Sequence, residues 1–390
     1  MKKIVYLVEQ PLDERNYGRF GIQTWIDKKW DVEIWDFTPW VHPRVWQDFI
    51  QSGRKLKKFS GYFPVASKKE LKQRLFSSKE FKYFIDLTGE NYRLLWTKIL
   101  LTQKGVTRVV CATGSIPEPV CEKKSLIPRL KKVFATGTIN SIKWMANLFF
   151  RKLVAPFMRP GLMVVSGEKS VPSVHNAHNI LKAHNLDYDI YLKLKSLKDT
   201  SIEGYAVFID QNYCFHSDFI FEGRPSCVTP KKYFPAVCDC LRKISNDLGV
   251  DFCIAAHPRS TYESGVLDYF EGIPIKYGRT AELLRDCKFV VCHDSTAIQL
   301  AVLFGKPLIF LTTGELAASF EGQSIVAFAS EFGKSAINVE RDLHNVDWKK
   351  ELDIDLEKYA EYKKKYIKTD GSPELPFWEI VADHIEENVN

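Results

Sequence analysis

The chain has 390 residues, long enough for two domains with full cores. Its 55 Lys and Arg against 48 Asp and Glu leave a net charge of +7, an excess that does not by itself call for nucleic acid. Nine scattered cysteines with no CxxC read as reduced core thiols of a cytoplasmic protein and imply no metal site.

Met1-Lys2-Lys3 precedes an apolar run too short for a signal peptide, so Lys3–Val8 is expected to be a first β-strand. No run approaches the roughly 20 apolar residues that span a bilayer. Strands are then expected over Asp31–Asp36, Tyr83–Leu87, Thr107–Cys111, Gly161–Val165 and Asp189–Leu192, alternating with helix-like pieces. That alternation predicts a parallel sheet with helices on both faces. The first turn lacks GxGxxG, which counts against a dinucleotide-binding domain.

Lys123 to Pro160 departs from the rest. It carries cations such as Lys131, Lys143, Arg151 and Lys152, no acid, and interleaved Trp144, Phe149, Phe150 and Phe157. Such a segment is either a core helix pair with a basic outer face or a surface attracted to anionic lipid at about 1 kcal/mol per cation. No nucleic-acid motif accompanies it. Beyond it, the strand ending at Val165 leads to Ser166-Gly167-Glu168, a loop acid or a candidate catalytic carboxylate. His175, His178 and His184 have no metal-ligand spacing.

A polar run from Lys195 to Gly204 suits an interdomain linker. The strand pattern restarts at Tyr205–Ile209 and ends in Asp210-Gln211, with His216 and Asp218 in the following loop. Asp210 is either a structural cap of its loop or an acid facing a cleft. Pro235–Leu248 is expected as a helix and Val250–Ala256 as a strand ending in His257-Pro258-Arg259. A short strand at Ile273–Tyr277 and a helix capped by Thr280, just after Arg279, come next.

Phe289–Cys292, the turn His293-Asp294-Ser295-Thr296, an apolar helix to Phe304, Gly305, and a strand from Leu308 together predict a βαβ unit with parallel strands. Asp294, Ser295 and Thr296 are candidate caps. They either cap a structural helix or aim its N–H groups at an anion. With His257 and Arg259 at a neighbouring strand end, they describe a pocket for a phosphorylated molecule. A last strand is expected near Ser324–Phe328 and an acidic helical tail from Trp348, with Trp378 and Ile380 packing on the first domain.

Ile209-Asp210-Gln211, His257-Pro258 and Ser295-Thr296 occur in an order that resembles the GT-B glycosyltransferases of bacterial surface polysaccharide synthesis. The resemblance is to enzymes using CMP-activated acidic sugars: sialyl-, polysialyl- and Kdo transferases. Those families carry a paired acidic motif where this chain has one Asp followed by Gln. The resemblance implies two Rossmann-like doubly wound domains facing a cleft: an acceptor domain over 1–199, a donor domain over 200–365, and a C-terminal helix over 366–390 returning to the first. It implies transfer of a sialic acid-like sugar or Kdo from CMP to a surface glycan or lipid-linked acceptor, without metal or other cofactor. Asp210 and Glu168 would be catalytic, and His257, Pro258, Arg259, Arg279, Asp294, Ser295 and Thr296 would bind the donor. The enzyme would be cytoplasmic, held through 123–160 to the inner face of the membrane. The same residues are similar to CDP-glycerol glycerophosphotransferases and UDP-N-acetylglucosamine 2-epimerases, and a nucleotide-binding module without turnover is the non-enzyme alternative.

Overall fold

The computed structural model describes residues 2–78, 80–89, 91–119, 159–170, 177–197, 204–216, 219, 225–260, 262 and 267–388. Nearly all of the basic segment 123–160, together with His175 and Asp218, lies outside them.

The first sheet has seven strands: β1 (Lys3–Val8), β2 (Asp31–Asp36), β3 (Tyr62–Pro64), β4 (Tyr83–Asp86), β5 (Thr107–Ala112), β6 (Leu162–Val165) and β7 (Asn179–Lys182). Their order is β3-β2-β1-β4-β5-β6-β7, with every pairing parallel. Strand β1 shows why helices must cover both faces. Ile4, Tyr6 and Val8 enter one buried cluster, Val5 and Leu7 another, as the two-residue period of a strand requires.

The second sheet has six strands: β8 (Tyr205–Ile209), β9 (Asp251–Ala255), β10 (Ile275–Lys276), β11 (Val290–Cys292), β12 (Leu308–Thr312) and β13 (Ile337–Asn338). Their order is β10-β9-β8-β11-β12-β13, again all parallel. Ala206 and Phe208 of β8 point into one cluster, Val207 and Ile209 into the other. The expected βαβ unit is present as β11, the helix Ile298–Leu303 and β12.

Three expectations fail for identifiable reasons. Asp189–Leu192 lies inside the helix Leu186–Lys195, because Asn185 caps it by accepting from Tyr188 N and Asp187 and Asp189 occupy its first turn. Ser324–Phe328 lies inside the helix Phe320–Glu331, started by the Ser319 side chain on Gly322 N. Thr280 is the first residue of its helix and not the cap, a position held by Arg279 without a side-chain bond.

The helix Leu186–Lys195 contributes Tyr188 to the second domain's core, so the chain changes domain ahead of the polar run at 195–204. After β13 the segment Leu356–Ile367 stays on the second domain through Tyr359, Tyr362 and Tyr366. The helix Phe377–Glu387 then packs Phe377, Trp378, Ile380 and Val381 into the first domain's core. Gly21, at φ +61°, leaves room for it: a Cβ there would fall 2.1 Å from Trp378 Cγ. Among the described residues no helix is long and apolar enough to cross a membrane.

Candidate functional site

In the second sheet the chain leaves β8 toward β9 on one side and β11 on the other. Open α/β sheets bind ligands beyond the carboxyl ends of such a pair of strands. Gln211, just after β8, donates from Nε2 to Asp294 Oδ1, just after β11, at 2.7 Å. The Tyr213 hydroxyl donates to the same oxygen. Asp294 therefore does not cap the following helix; it ties the two strand ends together. That helix begins only at Ile298, with Ala297 at its cap position and no side-chain bond. Ser295 to Ala297 form a tight turn before it, in which Ser295 Oγ accepts from Ala297 N at 3.2 Å and Thr296 is exposed.

Asp210 is 2% exposed. It accepts from Asn212 N at 2.9 Å, from the Tyr262 hydroxyl at 3.0 Å and from His257 N at 3.4 Å. Burial pushes its carboxyl above the ordinary carboxylate range, against the pull of these donors. With both oxygens occupied, it ties the His-Pro turn to the end of β8. His257 Nδ1 accepts from Arg259 N at 3.2 Å, which leaves the proton of the neutral ring on Nε2. His216 packs edge-on against His257, ring centroids 4.8 Å apart. Pro258 and Arg259 are exposed at the tip, and Arg279 is exposed beyond β10.

Glu168, the other candidate catalytic acid, lies in a short turn after β6 and faces solvent, with Lys364 Nζ at 3.2 Å. The two carboxylates belong to separate networks, one a surface ion pair and one a buried tether. His293 is fully buried, bonded to Leu311 O and the Tyr233 hydroxyl, and burial pushes its ring below the ordinary histidine range. His184 is likewise enclosed, its ring nitrogens on the carbonyls of Asn185 and Leu375.

The first sheet also reverses direction, between β1 and β4, and presents acids at its carboxyl ends. Asp36 ends β2 and accepts from Thr38 N at 2.8 Å and the Tyr62 hydroxyl at 2.5 Å. Asp86 ends β4 and meets Lys98 Nζ at 3.0 Å and Arg108 Nη2 at 2.6 Å. Burial opposes its charge, but the two cations outweigh that and hold it below the ordinary range. Glu9 follows β1 with Oε2 2.8 Å from His42 Nε2, while its buried Oε1 has no hydrogen-bond partner among the described residues. Neither Glu9 nor His42 stands in a motif; the strand-end argument applied to β1 would have picked out the acid.

The two rows of strand ends face one another. Arg15, on the helix Glu14–Arg19 that follows β1, is held below its ordinary value by partial burial and by the like charges of Arg19, Arg259 and Arg54. Arg259 lies in the loop after β9, so guanidinium groups from both domains come close enough here to repel one another. A cavity of about 820 Å³ lies at the opposite end of the first sheet, lined by Lys3, Trp30 and Phe81 among others, away from the groups at the strands' carboxyl ends.

Two all-parallel, doubly wound domains with opposed carboxyl ends define the GT-B fold. No family model and no curated protein matches the sequence. Among solved structures, the wall teichoic acid polymerase TagF is similar with a TM-score of 0.53 at 10% identity, over 100% of this chain and 90% of its own. The glycotransferase of kitacinnamycin matches at 0.50 and 10% identity, over 100% and 99%. CalG4, the calicheamicin glycosyltransferase, matches at 0.50 and 11% identity, over 99% and 98%. At such identities the likeness is one of fold.

Proposed function

We propose that the protein is a glycosyltransferase whose nucleotide-sugar donor sits beyond β8 and β11. The observation that carries this is the Gln211–Asp294 bridge across the reversal of the second sheet, flanked by the His257 turn and the Ser295-Thr296 turn. His257 Nε2 donates to a phosphate oxygen, Arg259 offers its fork, and the hydroxyls of Ser295 and Thr296 complete the cradle. The same groups stabilise the charge that builds on the departing phosphate as the sugar leaves.

The donor proposed is a CMP-linked acidic sugar, sialic acid-like or Kdo, passed to a surface glycan or lipid-linked acceptor. The resemblance of His257-Pro258 and Ser295-Thr296 supports CMP, and the arginines between the domains suit an acidic sugar. A second reading, transfer of glycerol phosphate from CDP-glycerol, is supported by the similarity of the same residues to CDP-glycerol glycerophosphotransferases. Calorimetry of CMP, CDP-glycerol and UDP-sugars separates them. His257→Ala is expected to lower affinity for the true nucleotide roughly 10- to 150-fold, as loss of one charge-assisted bond implies. Unchanged affinity overturns the donor site, and tight binding without sugar transfer to any acceptor makes the protein a nucleotide-binding module.

The basic, acid-free stretch 123–160 is proposed to hold the enzyme on an anionic membrane surface, where a lipid-linked acceptor is presented. Co-sedimentation with anionic vesicles should weaken as salt rises, because the attraction is screened. Indifference to vesicles at low salt removes this element.

A further inference from the structure

Among the described acids that end or follow β1, β2 and β4, Glu9 is the one left with uncommitted bonding capacity. Asp36 and Asp86 spend their oxygens on Thr38, Tyr62, Thr88, Lys98 and Arg108. Among the described residues Glu9 holds His42 Nε2 through Oε2 alone, and its Oε1 is enclosed without a partner. The Glu9 side chain is 13% exposed and that of His42 42% exposed. A buried carboxylate thus orients a solvent-facing imidazole, and among the described residues His42 Nδ1 makes no hydrogen bond. The carboxylate sits where the first sheet reverses: a Cβ on Gly89, in the loop after β4, would fall 3.7 Å from Glu9 Oε2. A surface ion pair gains little from enclosing one partner, whereas a base gains by having its orientation and its positive charge fixed from behind.

We propose that His42 is the general base that activates the acceptor hydroxyl and that Glu9 is its positioning residue. The proposal rests on the glycosyltransferase reading above and deepens it. Glu9 accepts the Nε2 proton, so Nδ1 carries the lone pair. The acceptor O–H gives its proton to Nδ1 as its oxygen forms a bond to the anomeric carbon. The bond from that carbon to the donor's phosphate oxygen breaks, and its electron pair leaves with the nucleotide. The resulting imidazolium is stabilised by the Glu9 carboxylate and returns its proton to solvent. One displacement of this kind inverts the anomeric centre. The acceptor is an aliphatic hydroxyl, the class of nucleophile that needs such a base.

The test compares wild type, His42→Ala and Glu9→Gln on CMP-, CDP- and UDP-linked sugars. Each is run with an oligosaccharide acceptor and, separately, with azide, a nucleophile that carries no proton to remove. His42→Ala is expected to lose roughly 10²- to 10⁴-fold in kcat with the oligosaccharide, to keep wild-type nucleotide affinity, and to keep its rate with azide. Glu9→Gln should lower kcat with the oligosaccharide but leave KM for the donor and the azide rate unchanged, a split that a merely structural role does not give. Wild-type rates of oligosaccharide transfer by His42→Ala overturn the base and leave the transferase standing. Equal losses with both nucleophiles also overturn it. If wild type neither binds nor turns over any of these donors, the transferase reading and the base fall together.

Discussion

The tether at Asp210 offers the sharpest check on the donor site. Three donors converge on this carboxylate: Asn212 N at 2.9 Å, the Tyr262 hydroxyl at 3.0 Å and His257 N at 3.4 Å. Asp210→Asn preserves the shape and keeps one accepting oxygen, for Asn212. The new amide then faces two donors where the wild-type oxygen accepted from both. A hydrogen bond to a charged acceptor contributes about 1.5–3 kcal/mol, and the contact at 3.4 Å is too long to count in full. Relief of a buried negative charge offsets part of the loss, since burial already raises this carboxyl. A net cost of about 2 kcal/mol follows, or roughly 4–8 °C in the melting of a domain of this size. Scanning calorimetry should show that loss in the second domain's transition, and CMP affinity should fall with it as the His257 turn drifts. Unchanged melting and unchanged CMP binding with turnover abolished would refute the tether. That result would make Asp210 a chemical group acting on the sugar.

Gly21→Ala combines a left-handed backbone at φ +61° with a Cβ 2.1 Å from Trp378 Cγ. It should destabilise the first domain by roughly 2–5 kcal/mol and make the segment after Ile367 sensitive to limited proteolysis; wild-type resistance would contradict the packing. Asp187 is raised to about 6, chiefly by burial and against the pull of Arg19 and Arg15. Its contribution to stability is full below the unfolded value near 4 and is lost as pH rises through about 6. Asp187→Asn should therefore gain on wild type between pH 4 and pH 7, by up to about 3 kcal/mol; a constant difference in melting temperature across that range would exclude the shift.

Much of the architecture was legible because parallel strands buried on both faces read as short apolar runs. β1 and β2 fall on the expected residues, Lys3–Val8 and Asp31–Asp36. The misread elements share one cause. Asp189–Leu192 and Ser324–Phe328 are apolar enough for strands, and the decisive signal lay upstream in the caps Asn185 and Ser319. At the site, the turns holding His257 and Ser295 announced themselves because motif residues adjoin strand ends. What holds those turns did not. Tyr213 and Tyr262 reach Asp294 and Asp210 across 81 and 52 positions, a convergence only folding creates. Glu9 and His42 meet across 33 positions, and neither has a neighbour that marks it.

Trp378 sets an order of events for a chain made one residue at a time. Its indole N–H donates to Arg19 O, 359 residues away, and its ring fills the slot beside Gly21 and Tyr6. Every strand of both sheets leaves the ribosome before this side chain does. At about 5–20 residues per second the slot stays open for on the order of 20–70 s. During that time Tyr6 and Phe20 lack their cover, while the second domain already has the side chains it needs between Ala206 and Trp348 for one face of its sheet. The half synthesised first is the half finished last, and in the nascent chain it is the one that a chaperone would need to shield.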